Sequence, residues 1–576
     1  MTAQPVPDAP QPAPDDDTFV PAVVAAADAA AAALLRASAD VTHAPLGPHR
    51  ESMRRAKLLV AVFLAPASAY AGDPDVLRLA ERYAAVLRDL QSPTGLFLGG
   101  SNVESPPDSG FTINDLGDIL ELVRRSGDDR LAALATLLGG IADRAVPAML
   151  AGGVHTPNHR WELSAALARL HRHRPDPRLA ERARRWLAEG IDIDGDGLYS
   201  ERSANYAVYV SNPSLLVIGD ILGMPQLHDI VERNLTSTLG LIQPDGSVET
   251  VHSRRQDQRE PRFPLAPFAV DYRRLALERG RADFAWAARL AAAEAITEPQ
   301  TALADLLLHP GLAAPLPAGE PPAARARSSW PRSGLVIDRT PERALTVFGG
   351  SDYAAVRRIR SGLATNPTFL RLFAGAAVLE SARLSRHFFG LGPFRADELT
   401  ADGDGFTLDE HLSPAYFGPL AEERHRPGGD YRLVDEGRFS AAMSFDERPR
   451  DAVGLHTRIA VQPTATGAQL VIDTDGPLCA WSLELAFRPG GRFEGIAVAE
   501  DGTGVLAEGT ARYRVGADAI EFGIDAAADA AVPATAGYLP GEDYSYLGGT
   551  DAWGGPRVYL TGTTPGRATV SLRRVG

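Results

Sequence analysis

Pro310-Gly311-Leu312-Ala313-Ala314-Pro315-Leu316-Pro317-Ala318-Gly319-Glu320-Pro321-Pro322-Ala323-Ala324-Arg325-Ala326-Arg327-Ser328-Ser329 separates two hydrophobic patterns in this 576-residue chain. Before it, apolar residues recur at helical spacing over 53–64, 76–90, 113–125, 131–150, 160–171, 178–189, 214–222, 227–242 and 272–296, with Gly, Pro and Asp between the runs. After it, β-branched and alternating residues fill 333–347, 353–359, 368–384, 454–461, 468–474, 481–487, 510–515 and 557–572. The pattern predicts a helical domain at 20–309, a linker at 310–329 and an all-β domain at 330–576. Many consecutive helices with short connections pack most simply as antiparallel pairs in a ring or stack. The β region is long enough for a large sandwich rather than a small barrel. No crisp internal repeat stands out.

A chain of this length holds two or more cores, and 45% hydrophobic with 23% charged residues excludes global disorder. The net charge of −15 argues against nucleic acid or an anionic membrane surface as the main partner. An acidic polymer would need a locally basic cleft. Residues 1–19, rich in Pro, Ala and Asp, read as a disordered tail without the basic segment and apolar core that export requires. The alanine-rich run 22–35 is interrupted by Asp28 and reads as an amphipathic or buried helix rather than a membrane span. The single cysteine, Cys479, cannot form an internal disulfide, and a cytoplasmic protein is expected. No cofactor and no metal is expected.

Within the helical half, Thr156-Pro157-Asn158-His159-Arg160-Trp161-Glu162 has the residue order of a helix start. Thr156 is the predicted N-cap and Pro157 the first helical residue. Asn158 and His159 then fall in the first turn, where free N–H groups and the helix dipole favour a carboxylate. Glu162, three residues after His159, is expected to fix the imidazole's tautomer. Arg160 and Trp161 are candidate substrate contacts, Trp161 by stacking on a sugar face. A helical tryptophan can equally belong to the core.

A second cluster runs from Asp192 to Tyr209. Counted from Asp192 as a calcium loop, its sixth residue is the required glycine, but the twelfth is Ser203 where a bidentate Glu is needed. A solvated turn is the simpler reading. Tyr199, Tyr206 and Tyr209, with Arg202 among them, precede an apolar helix that can present them into a cavity. A third cluster, Gly246 to Asp257, carries Arg254 and Arg255, with Arg259 and Arg262 following. It is either a solvated face or the local positive potential that an acidic substrate requires.

An Asn-His pair at a helix start, tyrosines about fifty residues later and a large β domain resemble the heparinase II/III-like polysaccharide lyases and their alginate lyase relatives. The resemblance covers most of the chain as architecture, with few specific motifs. It implies an incomplete (α/α) toroid followed by an antiparallel β-sandwich, with an acidic poly- or oligosaccharide as substrate. It also implies that Asn158 and His159 face the uronate carboxylate and that Tyr206 or Tyr209 transfers the proton. The family's frequent His-x-His-x-Asp segment early in the β domain has no counterpart in Arg360 to Arg371, and His387 and His411 are the substitutes considered. On this reading Arg202, Arg254 or Arg255 supplies positive charge. Two alternatives remain: a toroid glycoside hydrolase drawing paired carboxylates from Asp194, Asp196, Glu201 and Glu249, and a non-catalytic carbohydrate-binding protein.

Overall fold

The computed structural model describes residues 18–37, 47–98, 104–526, 536–540 and 555–576. By contact density the chain forms two units. One holds the helices up to Leu239 together with Pro264–Pro322, and the other holds Gly240–Phe263 with the β region from Ala323.

The helical unit contains α1 (Phe19–Arg36), α2 (Pro48–Leu64), α3 (Pro74–Asp89), α4 (Pro106–Ser126), α5 (Ala132–Ala151), α6 (His159–His173), α7 (Pro177–Leu187), the single turn α8 (Ala204–Tyr206), α9 (Asn212–Leu222), α10 (Gln226–Leu241, its last residues in the other unit), α11 (Ala269–Arg279), α12 (Ala282–Ala292) and α13 (Pro299–Leu308). Helices α3, α4 and α7 start alike: Asp73, Ser105 and Asp176 accept a backbone N–H, and proline follows at the first helical position. An inner row α2, α4, α6, α9 packs side by side, and α3, α5, α7 form an outer row. The run expected at 272–296 is two helices, because Gly280 takes a left-handed conformation and ends α11. By length and composition α1 is apolar enough to cross a membrane; Phe19, Val23, Val24, Ala27 and Ala31 are buried within the unit.

One turn recurs where no repeat was expected. After α3, α7 and α10 the chain makes an isolated antiparallel bridge across six residues, Gln91 to Phe97, Ile193 to Tyr199 and Ile242 to Val248. Each places a glycine at positive φ, Gly95, Gly197 and Gly246. In each, this glycine's N–H donates back three residues, to Ser92, Asp194 and Gln243. The acids of the supposed calcium loop serve this turn: Asp194 accepts the N–H groups of Asp196 and Leu198, and Asp192 accepts Trp161 Nε1 and the Ser200 hydroxyl.

The other unit contains β1 (Ala326–Trp330), β2 (Leu335–Thr340), β3 (Arg343–Phe348), the turn α14 (Tyr353–Val356), β4 (Leu370–Ala374), β5 (Ala377–Arg386), β6 (Glu398–Asp402), β7 (Gly405–Leu412), β8 (Ala415–Phe417), β9 (Leu433–Asp435), β10 (Ser440–Ala442), β11 (Arg450–Ala452), β12 (Leu455–Pro463), β13 (Gly467–Phe487), β14 (Arg492–Glu494), β15 (Thr503–Leu506), β16 (Gly509–Val515), β17 (Asp518–Ala526) and β18 (Arg557–Val575). Among the described residues fourteen strands join one sheet, antiparallel except for β15 on β18. The long strand β13 pairs with β12 along its first half and with β5 along its second, the register shifting between Thr474 and Cys479. This change of partner folds the sheet over a core that includes Leu345, Leu372, Leu384, Leu470, Leu485, Phe487, Tyr513 and Phe522.

The segment Gly240–Phe263 lies within the helical half of the sequence, yet it clusters with the β region, which binds some of its buried polar side chains. Glu249 is paired with Arg371 at 2.8 Å, and Gln243 donates to Thr346 at 2.9 Å. Burial pushes the Glu249 carboxyl up, but the Arg371 guanidinium outweighs it and holds the pKa below the usual range. In the predicted linker, Arg273 binds the carbonyls of Leu312 and Ala314, Arg289 binds that of Pro317, and β1 begins at Ala326. The change of unit falls between Pro322 and Ala323.

Candidate active site

Helix α6 starts at His159, two residues later than the capping pattern predicts. Pro157 and Asn158 form a turn, Thr156 Oγ1 lies 3.4 Å from Asn158 Oδ1, and no side chain caps the helix. The reason is tertiary. Asn158 is 1% exposed and its Nδ2 donates to Glu201 across 43 residues of sequence. Glu201 is itself buried and opens the next built turn. There Arg202 takes a positive φ of 50°, Ser203 Oγ accepts the Tyr206 N–H at 3.1 Å, and α8 follows. A π-helical segment, Ala207–Ser211, joins α8 to α9, so the predicted tyrosine loop is helical from Ala204. Such π turns carry an extra residue and recur at functional sites. Tyr206 and Tyr209 lie on either side of its start.

His159 is half-buried, with the His155 ring edge-on at 4.7 Å and the Phe111 ring at 6.5 Å. Beside them a shallow pocket is lined by Glu104, Ser105, Pro106, Pro107 and the segment Gly153 to His155. Glu162 does not serve His159 as expected. It faces α4 and α9, accepting from Asn114 Nδ2 at 2.6 Å and lying 3.5 Å from the Ser214 hydroxyl. Burial pushes its pKa up to about 7. The same inner row buries Lys57 against Asp115 and Asp118, and Arg169 against Asp118 at 2.8 Å.

Two proposed substrate contacts make bonds within the protein. Trp161 is wholly buried, with its indole N–H on Asp192 at 2.9 Å, so it cannot stack on a sugar. Arg160 lies over the Trp161 ring and pairs with Glu189 at 3.2 Å and Asp192 at 3.5 Å. Tyr199 is buried and donates to Asn212 at 2.8 Å. Tyr209 faces Thr297 and the Glu298 carboxylate, and burial first, then that charge, raises its pKa. A phenol required as a base needs the opposite shift.

Arg254 and Arg255 belong to the other unit. Arg254 makes a bidentate pair with Asp352, at 2.7 and 2.8 Å, and Arg262 lies 3.4 Å from Asp245, so part of the expected positive potential is neutralised locally. Of the hydrolase carboxylates, Glu249 is fully buried in its ion pair, Asp194 holds a turn, and Glu201 holds Asn158. His387 is exposed after β5, and His411 stacks on His456 at 4.0 Å. Among the described residues no group of three or more His, Cys, Asp or Glu is arranged to hold a metal ion.

No protein-family model and no curated protein matches the sequence. Among solved structures, the chain is similar to the chondroitin AC lyase of Streptomyces coelicolor A3 in complex with chondroitin sulphate, at 16% identity and a TM-score of 0.51, over 96% of this chain and 79% of that one. It is also similar to a Paenibacillus xanthan lyase, at 10% identity and a TM-score of 0.55, over 96% of this chain and 57% of that one. The TM-scores show likeness of fold, and at these identities of fold alone. The chain has the polysaccharide-lyase architecture, an (α/α) toroid followed by an antiparallel β-sandwich, as expected from its two hydrophobic patterns.

Proposed function

We propose that the protein is a poly- or oligosaccharide lyase of the heparinase II/III-like kind, cleaving a uronic-acid-containing glycan by β-elimination. The observation that carries this reading is the buried Asn158–Glu201 bond. It ties the Asn-His helix start to the turn that carries Tyr206, within a fold shared with polysaccharide lyases.

The chemical obstacle is the weak acidity of the C5 hydrogen. As C5–H breaks, its electron pair forms the C4–C5 double bond, the C4–O bond opens, and the leaving oxygen takes a proton. Charge develops on the uronate carboxylate during this step, so donors aimed at it lower the barrier. His159 at the start of α6 supplies such a donor, with the turn beside it held by the buried Asn158–Glu201 bond. Tyr206 is assigned the proton transfer, because Tyr209 has its pKa raised by burial and by Glu298. We place the reaction in the cytoplasm, acting on imported oligosaccharides, a reading supported by the single cysteine.

The test is ultraviolet absorbance from the new double bond across a panel of uronate polymers and oligosaccharides. The expected result is a rise with the wild type that Tyr206→Phe and His159→Ala abolish. New reducing ends without absorbance would overturn elimination in favour of hydrolysis.

A further inference from the structure

Arg50, in the first turn of α2, lies with its guanidinium carbon 4.0 Å from the centroid of Phe111. The Phe111 ring in turn meets His159 edge-on at 6.5 Å, and His155 closes the row at 4.7 Å. Arg50, Phe111 and His159 are all half-buried, so the row is neither core nor free surface. The neighbouring cations are matched by acids: Arg54 by Glu298, Arg55 by Glu51, Lys57 by Asp115 and Asp118, and Arg169 by Asp118. Among the described residues no carboxylate lies within ion-pair distance of Arg50. Its charge does act on Glu162, but that carboxyl is already bound by Asn114 and buried. A guanidinium resting on an aromatic face is oriented without being neutralised, and it keeps its forked donors for an incoming anion.

We infer that Arg50 receives a carboxylate of the bound glycan beside His159 and sets the site's preference for acidic sugars. This rests on the lyase reading. Asn158 is neutral, nearly inaccessible and shares its amide with Glu201, so it brings no positive charge. Arg50 brings a full one, in the same unit and one aromatic ring from His159. In a chain of net charge −15 such a cation is also what draws an acidic ligand to this place.

The experiment measures kcat and KM for the wild type, Arg50→Lys, Arg50→Gln and Phe111→Leu on an alginate trisaccharide and a chondroitin tetrasaccharide. Calorimetric binding of each oligosaccharide and of its carboxyl-reduced form runs in parallel, with melting curves to check folding. The expected result is a KM raised about 10- to 100-fold by Arg50→Gln, the loss of one charge-assisted bidentate contact. Arg50→Lys falls between, because an ammonium cannot lie flat on Phe111, and affinity for the carboxyl-reduced ligand is unchanged. Equal losses for acidic and reduced ligands, or none for either, overturn the role of Arg50 while wild-type turnover leaves the lyase reading standing. A wild type that neither binds nor cleaves any oligosaccharide of the panel overturns both.

Discussion

Asn158 and Glu201 bring together two stretches that carry little meaning apart. The amide donates to a carboxylate that is itself buried, and this fixes which way the Asn158 side chain points. Glu201→Ala is expected to lower kcat about 100-fold on a uronate substrate, the scale of losing one oriented donor, while Glu201→Gln keeps most activity because its amide oxygen also accepts. Steady-state kinetics of the two variants separate a positioning role from a requirement for charge. Tyr206→Phe is expected to lower kcat at least about 1000-fold, whereas Tyr209→Phe keeps turnover and loses its polar contact to Thr297. The sequence supplied the residues of this site but assigned Glu162 to His159. Spacing of three along a helix marks a shared face, and it is silent on which neighbouring helix that face meets.

The repeated turn shows what was legible at the level of elements and what was not. Pro93-Thr94-Gly95, Gly195-Asp196-Gly197 and Pro244-Asp245-Gly246 each read as simple punctuation, and only the common hydrogen bonding shows them to be one device. The division into helices and then strands followed from periodicity, but the strand expected at 353–359 is the helical turn α14, and α13 and β6 to β11 were not among the runs read from the pattern. The start of α6 and the π segment did not follow from it either, since the first is displaced by a tertiary bond and the second is one extra residue in a helical turn. Backbone geometry makes the turn testable. A Cβ on Gly95, at φ 93°, would lie 2.1 Å from the Arg144 carbonyl oxygen. Gly95→Ala is expected to destabilise by about 2–4 kcal/mol, and Gly127→Ala, also left-handed but with open space around it, by about 1 kcal/mol. Denaturant unfolding compares the two.

At the scale of the molecule, three carboxyls of the helical unit, Glu162 and Asp271 buried and Asp305 half-buried, set a pH trend. Burial raises Glu162 and Asp271 to about 7 and Asp305 to about 6. Each favours its protonated form in the fold, so its contribution is full below the ordinary carboxylate range and is lost as pH rises through 6 to 7. The melting temperature of the wild type is therefore expected to fall between pH 5 and pH 8, and Glu162→Gln to flatten that slope. An unchanged slope in the variant would remove Glu162 from the account. In the other unit, Glu249→Ala leaves Arg371 with one carboxylate fewer inside the protein and is expected to destabilise by about 3–5 kcal/mol. The attachment of Gly240–Phe263 to the β region also has a consequence for biosynthesis. Glu249 leaves the ribosome 122 residues before Arg371. At about 5–20 residues per second the segment waits about 6–24 s for its partner. A nascent chain stalled in that interval would present the Glu249 carboxylate without its guanidinium partner, so a chaperone that shields this segment would act there.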